Sequence, residues 1–244
     1  MKPTLVLSPS LGTTASLFWE GQLPAFADHF DVLRHDHPGH GEAPVPDGAV
    51  RVADIARNVL ALLDDAGAER VSFCGVSLGG MVGMWLAANA PERVDRLVLA
   101  CTGASLGTKA LYDERAALVR AEGTAVVLDG TRERWFTSSF RESARAVAIL
   151  DELGRVSPEG YAACCEAVGA FDFHGDLDRI SAPTLVVHGE DDPVTPPGVI
   201  DELVTRIPGA RRAGIPHAAH LANVEQPDAF NAAVLAHLTE RTAA

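Results

Sequence analysis

Arg70 to Cys74 is an apolar run of strand length, and Met81 to Ala90 reads as a helix buried on all sides. Between them stands Gly75-Val76-Ser77-Leu78-Gly79-Gly80. A Gly-x-Ser-x-Gly segment joining a buried strand to a buried helix leaves few folds open. The serine must sit on a tight, strained turn, and small residues on either side let strand and helix approach closely. Such a turn lifts the Ser77 hydroxyl above a sheet and places it at a helix amino terminus. There, unpaired N–H groups can stabilise a developing oxyanion. The competing reading is a glycine-rich turn with an incidental serine; the coincidence of motif and context favours the nucleophile.

The flanking chain fits the same frame. Strands are expected at Thr4–Ser8, Asp31–His35, Arg70–Cys74, Val94–Ala100, Thr184–His188 and Ala210–Ile215. Helices are expected at Leu17–His29 (with Pro24 interrupting or redirecting it), Val52–Ala66, Met81–Ala90, Gly198–Ile207 and Pro227–Glu240. In Val52–Ala66, the residues Val52, Ile55, Ala56, Val59, Leu60 and Leu63 recur at the spacing of an amphipathic helix, and Gly67 ends it. Strands alternating with helices imply an α/β fold with a mostly parallel, doubly wound sheet. From Leu106 to Asp172 the chain turns helical and charged, with no strand pattern. Residues 1–105 and 173–244 therefore read as one core, and 106–172 as an inserted helical cap.

Composition narrows the partners. The chain has 244 residues, is 47% hydrophobic and carries a formal charge of −13, which argues against nucleic acid, since phosphate binding needs clustered Lys and Arg. No apolar run reaches membrane-span length, and Met1-Lys2-Pro3-Thr4 runs into a strand pattern without a signal-peptide cleavage site, so no membrane association and a cytoplasmic location are expected. Cys74, Cys101, Cys164 and Cys165 are read as reduced, mostly buried thiols. His35, His37 and His40 cluster in a Pro-Gly loop without a helical i, i+4 spacing or a completing ligand set. They read as a loop bordering the pocket, not a metal site.

Serine hydrolysis needs a base and an acid in later loops. Asp191 and Asp192 both follow the strand ending at His188. Asp192 is preferred because it holds the aspartate place of a Gly-x-x-Asp-x-x-x-Pro pattern beginning at Gly189. The loop after Ala100, Cys101-Thr102-Gly103-Ala104, offers no carboxylate. His217 and His220 compete as base. His220 is preferred because it leads into Leu221-Ala222-Asn223-Val224-Glu225-Gln226-Pro227. The oxyanion donors are expected to be the Leu78 N–H and an N–H in the loop Pro9-Ser10-Leu11-Gly12-Thr13, best Leu11. No cofactor is called for.

Several segments together resemble one family. Ser10-Leu11-Gly12-Thr13, Pro38-Gly39-His40-Gly41, the Gly75–Gly80 elbow, Arg134-Trp135-Phe136 and Tyr161-Ala162-Ala163-Cys164-Cys165-Glu166-Ala167 look like 3-oxoadipate enol-lactonase. The likeness continues through 189–197 and 219–227, so it covers nearly the whole chain. It implies an α/β-hydrolase fold and hydrolysis of an anionic enol-lactone to 3-oxoadipate, in the β-ketoadipate branch of aromatic catabolism. It also makes Arg134 and Trp135 the candidates for carboxylate and ring contacts. Two departures stand out. The chain starts at what would be the third strand of the common fold, so the amino-terminal hairpin is expected to be missing. It also ends soon after the last helix, with no room for the decarboxylase domain fused to some relatives. A dienelactone hydrolase would carry Cys at the elbow. A general carboxylesterase, a cofactor-free perhydrolase or haloperoxidase, and a catalytically silent binding protein on the same scaffold remain as rivals.

Overall fold

The computed structural model describes residues 2–240. Residue 1 and residues 241–244, which the expected core segments include, lie outside the described residues. In chain order the elements are β1 (Thr4–Ser8), α1 (Ala15–Phe18), α2 (Leu23–Ala27), β2 (Asp31–Arg34), α3 (Val52–Asp65), β3 (Val71–Val76), α4 (Leu78–Asn89) and β4 (Val94–Ala100). Then come α5 (Lys109–Glu122), α6 (Leu128–Trp135), α7 (Ala144–Leu153), α8 (Pro158–Gly169), β5 (Thr184–Gly189), α9 (Pro197–Arg206), β6 (Arg211–Ile215), α10 (Ala222–Glu225) and α11 (Pro227–Leu238).

The six strands form one sheet in the order β2-β1-β3-β4-β5-β6, with every pairing parallel. This is the α/β-hydrolase architecture, a parallel sheet flanked by helices. All six residues of β3 are buried, and α4 is buried around almost its whole circumference. That is why both segments lack an amphipathic pattern. The chain winds from β1 outward to β2, then returns to place β3 on the other side of β1. The crevice above the carboxyl ends of β1 and β3 is thus a topological switch point, where open α/β sheets bind ligands.

Two local expectations need correction. Leu17–His29 is not one helix but α1 and α2, broken near Glu20-Gly21. Pro24 sits in the first turn of α2, where its missing N–H breaks no helical hydrogen bond. The buried Gln22 between the two helices donates to the Asn223 carbonyl at 2.8 Å, a long-range contact with no local signature. Helix α4 starts at Leu78 rather than Met81, directly after the nucleophile candidate.

Helices α5 to α8 fill the interval between β4 and β5, and residues 106–172 contain no strand. Helix α8 meets the loop after β2 backbone to backbone at Gly160. A Cβ on Gly160 would lie 2.5 Å from the Gly39 Cα, and one on Gly39 would lie 2.4 Å from the Gly160 Cα. Gly160→Ala gains up to about 1 kcal/mol of helix propensity. It also drives a methyl into backbone that cannot rotate away, which costs about 1–3 kcal/mol. The clash should win, so Gly160→Ala is expected to melt at a lower temperature than the parent; an equal or higher melting temperature would contradict this packing. Among the described residues, no helix is long and apolar enough to cross a membrane.

Candidate active site

The turn between β3 and α4 holds Ser77 at φ 55°, a left-handed conformation unusual for a residue with a side chain. Its neighbours explain how the turn closes. A Cβ on Gly75 would lie 2.1 Å from the Gly79 carbonyl oxygen, and one on Gly79 would lie 2.2 Å from that of Ser8. Only glycine fits either place. The strained residue is pinned on both sides: its N–H donates to the Ala100 carbonyl at 2.9 Å, and its carbonyl accepts from the Thr102 hydroxyl at 2.8 Å.

Three distant loops converge on this turn. The Ser77 Oγ lies 3.0 Å from His220 Nε2, and His220 Nδ1 lies 2.9 Å from Asp192 Oδ2. All three residues are buried. Asp192 also accepts from the Val194 N–H at 2.8 Å and the Thr195 hydroxyl at 2.5 Å. Burial alone would raise the Asp192 carboxyl. The neighbouring His220 and the hydrogen bonds from His220, Thr195 and Val194 reverse that and hold it below its ordinary value. Asp191 and His217, the other two candidates, are exposed and take no part in this chain of bonds. Instead, the Asp191 N–H donates to the Ala218 carbonyl at 3.0 Å, tying the carboxylate loop to the histidine loop.

Leu11 lines the cavity beside Ser77 and His220, and Leu78 opens helix α4. The N–H groups of both have no acceptor among the described residues, as two donors awaiting an oxyanion should. The loop carrying Leu11 is held by side chains the sequence did not reveal. His40 Nε2 accepts from the Gly12 N–H at 3.0 Å while its Nδ1–H donates to the Pro38 carbonyl at 3.0 Å. His37 Nε2–H donates to the Pro9 carbonyl at 2.8 Å. Asp36 accepts from the Ala15 N–H at 2.6 Å, and Glu152 of α7 accepts from the Thr14 N–H at 2.9 Å and the Thr14 hydroxyl at 2.5 Å.

His35, His37 and His40 do not border the Ser77 cavity, contrary to expectation; they stack edge to face beneath its loop. Burial pushes His35 and His40 down to about 4 and His37 well below its usual value. His37 and His40 are hydrogen-bonding wedges, and His35 packs against them.

Glu225 is a second unforeseen support. It is 6% exposed and accepts from the Ala219 N–H at 2.7 Å and the Thr137 hydroxyl at 2.6 Å. It therefore links the residue before His220 to the chain just after α6. The Leu221 N–H, on the other side of His220, donates to the Trp135 carbonyl at 3.1 Å. Neither contact has a sequence signature, because each joins residues far apart in the chain.

The cavity above Ser77 has a volume of about 290 Å³ and takes its far wall from the helices inserted after β4. Arg134 and Trp135 both line it, as does Arg115, which sequence reasoning did not single out. Of the seven arginines in residues 106–172, Arg120, Arg132 and Arg145 each pair with glutamates. Arg115 and Arg134 have no carboxylate partner among the described residues. Burial and the adjacent Arg115 lower the Arg134 guanidinium from its ordinary value.

Comparison with known proteins places this geometry. A family model described as "Alpha/beta hydrolase family" matches residues 5–233. The "3-oxoadipate enol-lactonase 2" of Acinetobacter baylyi is 39% identical over 235 residues, covering 96% of this chain and 87% of the relative. A Caulobacter protein named as a carbamate hydrolase of the RutD type is 30% identical over 249 residues, covering 99% of this chain and 92% of the relative. The crystal structure of the enol-lactonase from Burkholderia xenovorans LB400 superposes with a TM-score of 0.95 at 38% identity, covering 98% of this chain and 92% of that one.

Proposed function

The chain belongs to the 3-oxoadipate enol-lactonase family of α/β-hydrolases, and from that premise we propose that it hydrolyses 3-oxoadipate enol-lactone to 3-oxoadipate in aromatic catabolism. The observation that carries the reading is the unbroken hydrogen-bond chain from Ser77 through His220 to Asp192, opening into a cavity whose far wall holds guanidinium groups with no carboxylate partner among the described residues.

In this mechanism the lactone carbonyl oxygen lies against the Leu11 and Leu78 N–H groups. His220 Nε2 takes the Ser77 proton as Oγ attacks the acyl carbon. Asp192 accepts from Nδ1–H and stabilises the imidazolium that forms. Collapse of the tetrahedral intermediate breaks the ring C–O bond. The leaving group is an enolate, better than a simple alkoxide, and His220 protonates it on the way to the ketone. The leaving group stays tethered to the acyl chain, so rapid attack by water is needed to prevent reclosure. His220 activates that water, and Ser77 is regenerated. Arg134 holds the free carboxylate in two-point fashion, and Trp135 packs on the ring. The backbone donors are indifferent to side chain, so Ser10-Leu11-Gly12 can serve as an oxyanion loop as well as one containing His-Gly.

The test is a substrate comparison. Purified protein is expected to open the lactone without added metal or cofactor. Its kcat/KM for the lactone should exceed that for a neutral ester of similar size by at least about tenfold, the scale of one charge-assisted carboxylate contact. Equal efficiency on both would leave a general carboxylesterase. Peroxide-dependent halogenation of a dye in place of lactone opening would favour the perhydrolase. Turnover of a carbamate alone would move the chain toward the RutD-like relatives.

A further inference from the structure

The triad and the single carboxylate contact assigned above leave polar groups in the cavity unused. Arg115 of α5, Arg134 of α6 and Tyr161 of α8 come from three different helices to line the cavity that contains Ser77 and His220. Neither guanidinium has a carboxylate partner among the described residues. Arg134 makes only a long contact to the Thr131 hydroxyl at 3.4 Å, and Arg115 lies over the Tyr112 ring at 5.9 Å. Tyr161 is 2% exposed, and its hydroxyl has no hydrogen-bond partner among the described residues. Tyr161 lines the cavity and its hydroxyl is not tied up by the described residues, so it can hydrogen-bond a ligand there.

Two neighbouring like charges held in a half-buried wall are also unfavourable in the empty state. Cap glutamates pair with Arg120 and Arg132, and Glu20 between α1 and α2 pairs with Arg145, but no acid among the described residues pairs with Arg115 or Arg134. The unpaired charge in the wall exceeds what one carboxylate neutralises. The lactone carries one negative charge, whereas the hydrolysed product carries two, the second being the carboxylate released from Ser77.

Building on the lactonase reading, we propose that Arg115, Arg134 and the Tyr161 hydroxyl form a single anion subsite matched to a dianion, so that the protein binds free aliphatic dicarboxylates, its own product included, better than monocarboxylates of the same length. Arg115 is then a second specificity-determining arginine. Release of the dianionic product becomes slower than release of a monoanion would be.

Direct titration calorimetry tests this without relying on turnover. Adipate, a six-carbon dicarboxylate, and hexanoate, its monocarboxylate counterpart, are titrated into the full chain and into Arg115→Gln and Arg115→Lys. Adipate is expected to bind at least about tenfold more tightly than hexanoate. Arg115→Gln should erase that advantage. Arg115→Lys, which keeps the charge but not the planar fork, should retain part of it and guards against misfolding of the glutamine variant. Equal binding of the two acids, no binding of either, or an undiminished preference in Arg115→Gln with a normal melting curve would overturn the proposal. Failure of the lactone assay together with a dicarboxylate preference lost in Arg115→Gln would overturn the substrate reading and leave the subsite standing.

Discussion

Ser77→Ala is expected to lower kcat on the lactone by about a million-fold, the scale seen when a serine nucleophile acting as a unit with its base is removed. The side-chain oxygen bonds only to His220 Nε2, while the turn is held by backbone contacts to Ala100 and Thr102. The variant should therefore keep the parent's melting temperature and its affinity for substrate, and lose the chemical step alone. Residual activity would come from the Leu11 and Leu78 donors and from binding. Steady-state kinetics on the lactone, together with loss of labelling by a serine-directed phosphonate, provide the check. A variant that still turned over lactone within a hundredfold of the parent would remove Ser77 from the nucleophile's role.

Acid sensitivity comes next in expected size. His35 and His40 are held by burial at about 4, against an ordinary value of 6.5, and His37 is held well below it. A group whose pKa is lowered in the folded state takes up its proton in the unfolded chain first. Between about pH 6.5 and pH 4 the unfolded state therefore binds more protons, and stability falls as the pH falls. The loss is absent above that window. For a single histidine it reaches about 3 kcal/mol at pH 4, a large part of a total of about 5–15 kcal/mol. Asp192 is shifted in the same direction; its contribution is present above the ordinary carboxylate range and is lost only as the pH drops through its lowered value. That loss lies below the histidine window. His35 Nε2 has no hydrogen-bond partner, so His35→Leu removes a titrating ring without breaking a bond. Urea unfolding of His35→Leu at pH 7 and pH 4.5 should show an acid loss about 2–3 kcal/mol smaller than the parent's. Identical acid limbs would mean that His35 titrates normally.

That histidine cluster shows where local reading stopped. Three histidines in a Pro-Gly loop were visible in the sequence, yet their task was not. His40 accepts from Gly12, and His37 donates to Pro9, on a loop some 28 positions earlier in the chain. Arg115 was equally silent. It is one of seven arginines in residues 106–172, and nothing in its neighbours separates it from Arg120 five residues later. The separation is made in space, where Arg120 meets Glu159 and Glu166 and Arg115 meets no acid among the described residues. The break in Leu17–His29, expected at Pro24, falls instead between Phe18 and Leu23, where the buried Gln22 reaches Asn223 some two hundred residues later.

What the sequence determined by itself was whatever short-range sterics and periodicity control. Alternating strands and amphipathic helices implied a parallel sheet, and Gly75-x-Ser77-x-Gly79 implied a strained turn, because a Cβ at Gly75 meets the Gly79 backbone within the turn itself. The sequence pattern already preferred Asp192 over Asp191 and His220 over His217, but only the tertiary structure shows which member of each pair joins the hydrogen-bond chain to Ser77. Adjacent residues on one loop share nearly all their local context, and a hydrogen bond of 2.9 Å depends on which of them faces a partner brought in from elsewhere. The same holds for the cavity wall: charge is written in the sequence, but whether a charge is paired is decided by what the fold sets beside it.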